Sequence, residues 1–254
     1  MRLPLGQSRL GTGSDAAFGE SSMRFRRLNV ENVGFNSCGV KLMLLKNQGR
    51  LIGFMGLPGS GKSSLIAFLA KKVAAKVFLE PEEEEWADCV KRRSEVGPFS
   101  GLQWFRSIRV PQLYEARRLA DDGELVFLDS LYDKLCVKYL GKPGLEWVIT
   151  PTDRYFEVAK MIATLDNTCL PDVDAIVSIC VDETDYKRFL KIRNRTRDAS
   201  LVKAWYTQEY FLNAAKDYAA DHELQHLVFH NEFCTVMESG NRLFKQLATQ
   251  GLLV

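Results

Sequence analysis

Short apolar runs alternate with longer amphipathic segments from Leu51 onward. That alternation predicts a parallel sheet wrapped by helices, because each apolar run has strand length and is followed by a crossover. Leu51–Met55 reads as the first strand and Lys62–Val73 as a helix, with Gly56–Gly61 between them. Val77–Leu79 reads as the second strand and enters an acidic segment, Glu80–Glu85. A helix over Phe99–Ala120 ends at Asp121-Asp122-Gly123, and Leu125–Leu128 makes the third strand. Two helical segments follow, broken by Gly141-Lys142-Pro143-Gly144. Pro171-Asp172 leads into a fourth strand, Ala175–Val181, then an Arg-rich stretch and another helix. Leu224–Phe229 reads as a buried fifth strand before a closing helix. No repeat and no long linker divides this region, so the expected domains are residues 1–49, a basic extension, and 50–254, one α/β domain.

Composition narrows the class. The chain has 254 residues, 46% hydrophobic and 26% charged, the mix of a globular protein. No apolar run reaches the eighteen residues of a spanning helix. Six cysteines contain no Cys-x-x-Cys pair, which points to free thiols rather than a disulfide scaffold or structural zinc. The net charge of +2 is unevenly spread: residues 1–50 carry +5 and the remainder −3. A domain of that balance does not suggest a nucleic-acid binder. Residues 1–22, rich in Gly, Ser and Ala, read as a tail, an organelle transit peptide, or a start upstream of a true Met23. Lys41–Lys46 is a short apolar patch between cations, read as an extra strand or interface segment rather than a membrane anchor.

Gly56-Leu57-Pro58-Gly59-Ser60-Gly61-Lys62-Ser63 fits G-x-x-x-x-G-K-[ST] in full, between a strand and a helix. Glycines let the backbone curl its N–H groups toward phosphate oxygens, and the following helix adds its positive end. Gly56, Gly59, Ser60, Gly61, Lys62, Ser63 and Ser64 are therefore the expected nucleotide-binding residues. Lys62, a point charge on a preformed loop, reaches the terminal phosphates, and Ser63 ligates Mg²⁺. Glu80 ends the second strand, on the side where ligands of such sheets bind, and could take a proton from an attacking hydroxyl. Glu82–Glu85 read as solvated carboxylates in a helix's first turn. Asp129 ends the third strand and either holds Mg²⁺ with Ser63 or caps the next helix. Lys191, Arg193, Arg195 and Arg197 place four cations where they can fold over a nucleotide. His222, His226 and His230 recur at intervals of four, but no Cys or carboxylate joins them at ligand spacing. Trp104, Phe105 and Trp205 read as core.

In order along the chain, Gly56–Ser63, Glu80-Pro81 with Trp86, Phe99 and Gln103, Asp129-Ser130 with Asp133, Lys191 before Arg195-x-Arg197, and Leu227–Glu232 resemble the deoxyribonucleoside kinases. The resemblance spans roughly residues 51–247. It implies a P-loop kinase fold, a five-stranded parallel sheet flanked by helices on both faces, usually in a homodimer. It implies ATP and Mg²⁺ as cofactors and a nucleoside as substrate. Glu80 would be the general base toward a sugar 5′-hydroxyl. Lys62, Arg195 and Arg197 would grip phosphates, while Gln103, Asp133 and Trp86 would hold the nucleoside. One departure stands out: the family has an arginine between the strand-three carboxylate and the serine, and here Ser130 follows Asp129 directly. Asp133 is accordingly a loose match to the base-side acid. The same resemblance includes a kinase-fold accessory subunit of mitochondrial respiratory complex I, so a subunit of a large assembly is the alternative expectation, and mitochondrial residence suits both. A kinase acting on bases within DNA would need a basic face that the −3 domain does not supply.

Overall fold

A computed structural model describes residues 49–195 and 201–253. The basic extension and Arg197 therefore lie outside the described residues. Five strands form one parallel sheet in the order β2-β3-β1-β4-β5: β1 (Arg50–Gly56), β2 (Lys76–Phe78), β3 (Leu125–Asp129), β4 (Ala175–Cys180) and β5 (Gln225–His230). The helices are α1 (Lys62–Val73), α2 (Asp88–Lys91), α3 (Arg93–Val96), α4 (Pro98–Asp121), α5 (Tyr132–Tyr139), α6 (Phe156–Cys169), α7 (Glu183–Arg193), α8 (Gln208–Asp221) and α9 (Val236–Thr249). None of them is long and apolar enough to cross a membrane.

Strand side chains alternate between faces, so each central strand feeds two cores. On one face Leu51, Met55, Val126, Leu128 and Ile176 pack with Leu113, Leu135 and Tyr218 of α4, α5 and α8. On the other, Ile52, Phe54, Phe127, Val177 and Phe229 pack with Leu65, Leu69 and Leu243 of α1 and α9. Phe54 and Phe127 meet edge-to-face at 5.6 Å between centroids. Emptying one such ring position by Phe→Ala costs about 3–5 kcal/mol. The two helices of this face lie close: a Cβ at Gly240 of α9 would lie 2.3 Å from the Phe68 ring of α1. α9 starts with a reciprocal cap, the Glu238 amide donating to Thr235 Oγ1 at 3.2 Å and the Thr235 amide to Glu238 Oε2 at 3.0 Å.

Two expectations change. β5 is not buried but is an edge strand: Leu227 and Phe229 face the core, while Val228 is 49% exposed. The strand run is apolar enough to read as central, but among the described residues it has a partner on one side only. Asp129 does not cap α5, whose N-cap is Leu131 with no side-chain cap. The histidines are used singly: His226 pairs with Ser178 Oγ at 2.8 Å, His230 lies 3.2 Å from Asp182, and His222 Nδ1 lies 2.9 Å from the Tyr218 carbonyl.

Candidate active site

β1, the central strand, delivers its C-terminal end directly into the glycine loop. Gly59 and Gly61 take φ of +87° and +82°, which non-glycine residues rarely adopt. Gly61 also allows close approach, since a Cβ there would come within 2.7 Å of Asn231 Nδ2. Asn231, buried just past β5, donates to the Ser60 carbonyl at 2.7 Å and accepts from Ser239 of α9. Tyr186 of α7 donates to the Pro58 carbonyl at 2.9 Å, and Tyr132 of α5 donates to the Gly56 carbonyl. Three elements thus hold the loop by its carbonyls; the Ser60 amide turns back to the Leu57 carbonyl at 3.2 Å, and the other loop N–H groups are left for an anion. The Ser60 hydroxyl is buried and has no partner among the described residues.

Lys62 and Asp129 form a buried ion pair at the base of the loop, 5% and 0% exposed. Ser63 Oγ donates to the other carboxylate oxygen at 2.5 Å. A hydroxyl and a carboxylate side by side are hard oxygen donors, the set that Mg²⁺ prefers. Among the described residues no three His, Cys, Asp or Glu side chains cluster to hold a metal by themselves. A bound ion would draw its remaining ligands from phosphate and water, as Mg²⁺ usually does, so Ser63 and Asp129 fit it.

Above this base opens a cavity of about 1060 Å³. Gly59, Gly61, Lys62, Ser63 and Ser64 line it, as do Glu80, Trp86 and Asp133, and Arg195 lines it from beyond α7. Gly56, Ser60 and Asp129 are buried and do not line it. Glu80 Oε1 accepts from Ser130 Oγ at 3.3 Å and from Arg109 Nη1 at 3.0 Å. Trp86 uses its indole N–H on the Pro81 carbonyl at 3.1 Å and sets its ring edge-to-face against Phe105. Phe105 therefore walls the cavity and is not simply core, whereas Trp205 donates to the Val181 carbonyl and packs inward.

Gln103 is placed differently from its expectation. On α4 it is Pro98, Leu102, Phe105 and Arg109 that line the cavity, and Gln103 does not. It sits about 100° round the helix from Leu102, and its Nε2 is buried without a partner among the described residues. Glu82 is also not merely solvated, because Arg195 reaches across to pair with it.

Arg109 is the main residue that the sequence did not single out. Its Nε and Nη2 grip Asp133 at 2.7 and 3.2 Å while Nη1 bonds Glu80. An arginine thus does stand beside Glu80, supplied by α4 instead of by the position after Asp129. Burial alone would lower its guanidinium pKa, but Asp133 first and Glu80 second outweigh burial and raise it. The Tyr132 phenol is held well above its ordinary value by burial, with the charges of Glu80 and Asp129 adding to the effect. Burial, with Asp133 adding, pushes the Cys136 thiol up to about 12. Arg193, which ends α7, also lines the cavity.

No protein-family model and no curated protein matches this chain. Solved structures do. Thymidylate kinase from Candida albicans superposes with a TM-score of 0.56 at 17% identity, covering 80% of this chain and 93% of that one. Deoxyadenosine kinase from M. mycoides with bound dATP gives 0.55 at 20% identity, covering 78% and 99%. The same enzyme with dCMP and a flexible dCDP bound gives 0.54 at 20% identity, with the same coverage. At such identities the likeness is one of architecture, and the chain has the α/β fold of the P-loop nucleoside and nucleotide kinases.

Proposed function

We propose that this chain is a phosphotransferase that moves the γ-phosphoryl group of ATP to a hydroxyl of a nucleoside. The observation that carries the reading is the shared cavity: the phosphate loop and the Glu80 carboxylate open onto the same space. Loop N–H groups and the N-terminal end of α1 receive the phosphates, and Lys62 exchanges Asp129 for the terminal phosphate. When bound, Mg²⁺ would be held by Ser63 and Asp129 and would neutralise charge on the phosphate oxygens. Glu80 accepts the proton of the attacking hydroxyl, and Trp86, Phe105 and Tyr132 offer aromatic walls to a planar base. Arg193, Arg195 and Arg197 are assigned to the charge that spreads over the transferring group.

The alternative, an accessory subunit of a large assembly, would use the basic extension, which lies outside the described residues. The test is direct: purified protein, Mg²⁺ and γ-labelled ATP are incubated with each deoxyribonucleoside and ribonucleoside in turn. Label is expected in a nucleoside monophosphate. Tight ATP binding with no labelled product from any nucleoside would reject the transfer and leave only a nucleotide-binding protein.

A further inference from the structure

We propose that Arg109 is the positioning residue for Glu80: it fixes one carboxylate oxygen and leaves the other for the acceptor's proton. This rests on the phosphotransfer reading above.

Glu80 has little anchorage of its own. It lies just beyond β2, a three-residue edge strand in which Lys76 and Val77 are exposed. Arg109 is the opposite case, set in the middle of the 24-residue α4 and 8% exposed. The Phe105 and Tyr132 rings lie 5.4 and 5.5 Å from its guanidinium carbon. Asp133, itself buried, holds the fork from α5 through two hydrogen bonds. The guanidinium is therefore fixed by everything except Glu80, and its remaining Nη1 sets where Glu80 points.

The contacts to Glu80 converge. Arg109 Nη1 at 3.0 Å and Ser130 Oγ at 3.3 Å both fall on Oε1. Oε2 accepts no hydrogen bond among the described residues, and the side chain lines the cavity. A base needs one oxygen with an open lone pair at a fixed place, and this arrangement provides it. The Asp133 contact also gives the acceptor pocket a mechanical link to the base, because anything that shifts Asp133 shifts the fork.

A kinetic double-mutant cycle tests the proposal with Arg109→Met, Glu80→Gln and the pair of substitutions. Arg109→Met is expected to lower kcat by about 10²-fold, the usual cost of a small misplacement at the reacting atoms. Its ATP affinity should stay within about twofold, because Arg109 does not touch the glycine loop. In the Glu80→Gln background the same substitution should cost nothing further, since the group it positions is gone. Arg109→Lys should restore only part of kcat, one ammonium being unable to serve both carboxylates as the fork does. If Arg109→Met does not fold, Asp133→Asn releases the fork while keeping the cation and is read by the same cycle. Losses that multiply would overturn the proposal, and so would a kcat loss accompanied by equal losses of ATP affinity and thermal stability. A wild-type chain with no turnover rejects the phosphotransfer reading and this inference with it. Turnover in the wild type with multiplicative losses rejects this inference alone.

Discussion

Replacing Lys62 by Met should destabilise the protein as well as remove a phosphate ligand. Read from the sequence alone, Lys62 is a point charge on a loop and dispensable to the fold. The structure makes it half of a buried pair: Asp129 is fully buried, and Lys62 is its one cationic partner among the described residues. Removing one partner leaves a carboxylate in a dry site with only the Ser63 hydroxyl, which costs about 3–5 kcal/mol. For a domain of this size each kcal/mol moves Tm by about 2–4 °C, so a drop of roughly 6–20 °C is expected. Asp129→Asn in the same chain removes the stranded charge and should recover more than half of the loss. ATP affinity should remain lost in both variants, because the lysine is missing from both. Thermal unfolding followed by circular dichroism without nucleotide, paired with equilibrium dialysis against ATP, separates the two effects. A single variant that melts with the wild type would refute the argument, as would a double variant no more stable than the single one.

Other outcomes follow from the same contacts. Glu80→Gln should keep ATP affinity but reduce turnover by roughly 10²–10⁴, the share of a positioned base; a variant with ordinary turnover would return Glu80 to the surface acids. Asn231→Ala strands the buried Ser239 hydroxyl and frees the Ser60 carbonyl, which should cost about 1–3 kcal/mol in denaturant titration and weaken ATP binding. Alkylation at pH 8 with mass-spectrometric readout should label the exposed Cys169 and Cys234 and spare Cys136, whose thiol at about 12 stays neutral there; early labelling of Cys136 would contradict its burial. Deleting residues 1–22 should leave Tm and any phosphate transfer nearly unchanged, and loss of either would tie that segment to the domain.

The sheet was legible because each strand is a local signal: an apolar run between glycine, proline and acidic breaks. The glycine loop was legible because its chemistry demands a contiguous pattern. Strand order is not local, which is why β5 read as buried although it lies at an edge. Arg109 was missed for a related reason. It sits in the middle of a helix, and its carboxylate partners lie 29 residues before it and 24 after it. A usable signal existed nonetheless, because Leu102, Phe105 and Arg109 recur at helical spacing on one face while Gln103 falls off it. Asn231 gave no signal beyond ending a strand, since its value depends on α9 and the glycine loop meeting there. Glu82 was hidden among like neighbours, and the Arg195 contact together with its capping of Glu83–Glu85 distinguishes it.

The central place of β1 has a consequence for how the protein is made. Its neighbours are β3 and β4, so the strand that carries the glycine loop has no complete bed until residue 180 has been synthesised. Asn231 and Ser239, which brace the loop, arrive later still. At about 5–20 residues per second, a growing chain leaves Leu51–Met55 without β3 for roughly 4–15 s and without β4 for roughly 6–25 s. During that interval its unpaired edges are open to other chains, and a C-terminal truncation before β5 should yield aggregate instead of a smaller nucleotide-binding domain.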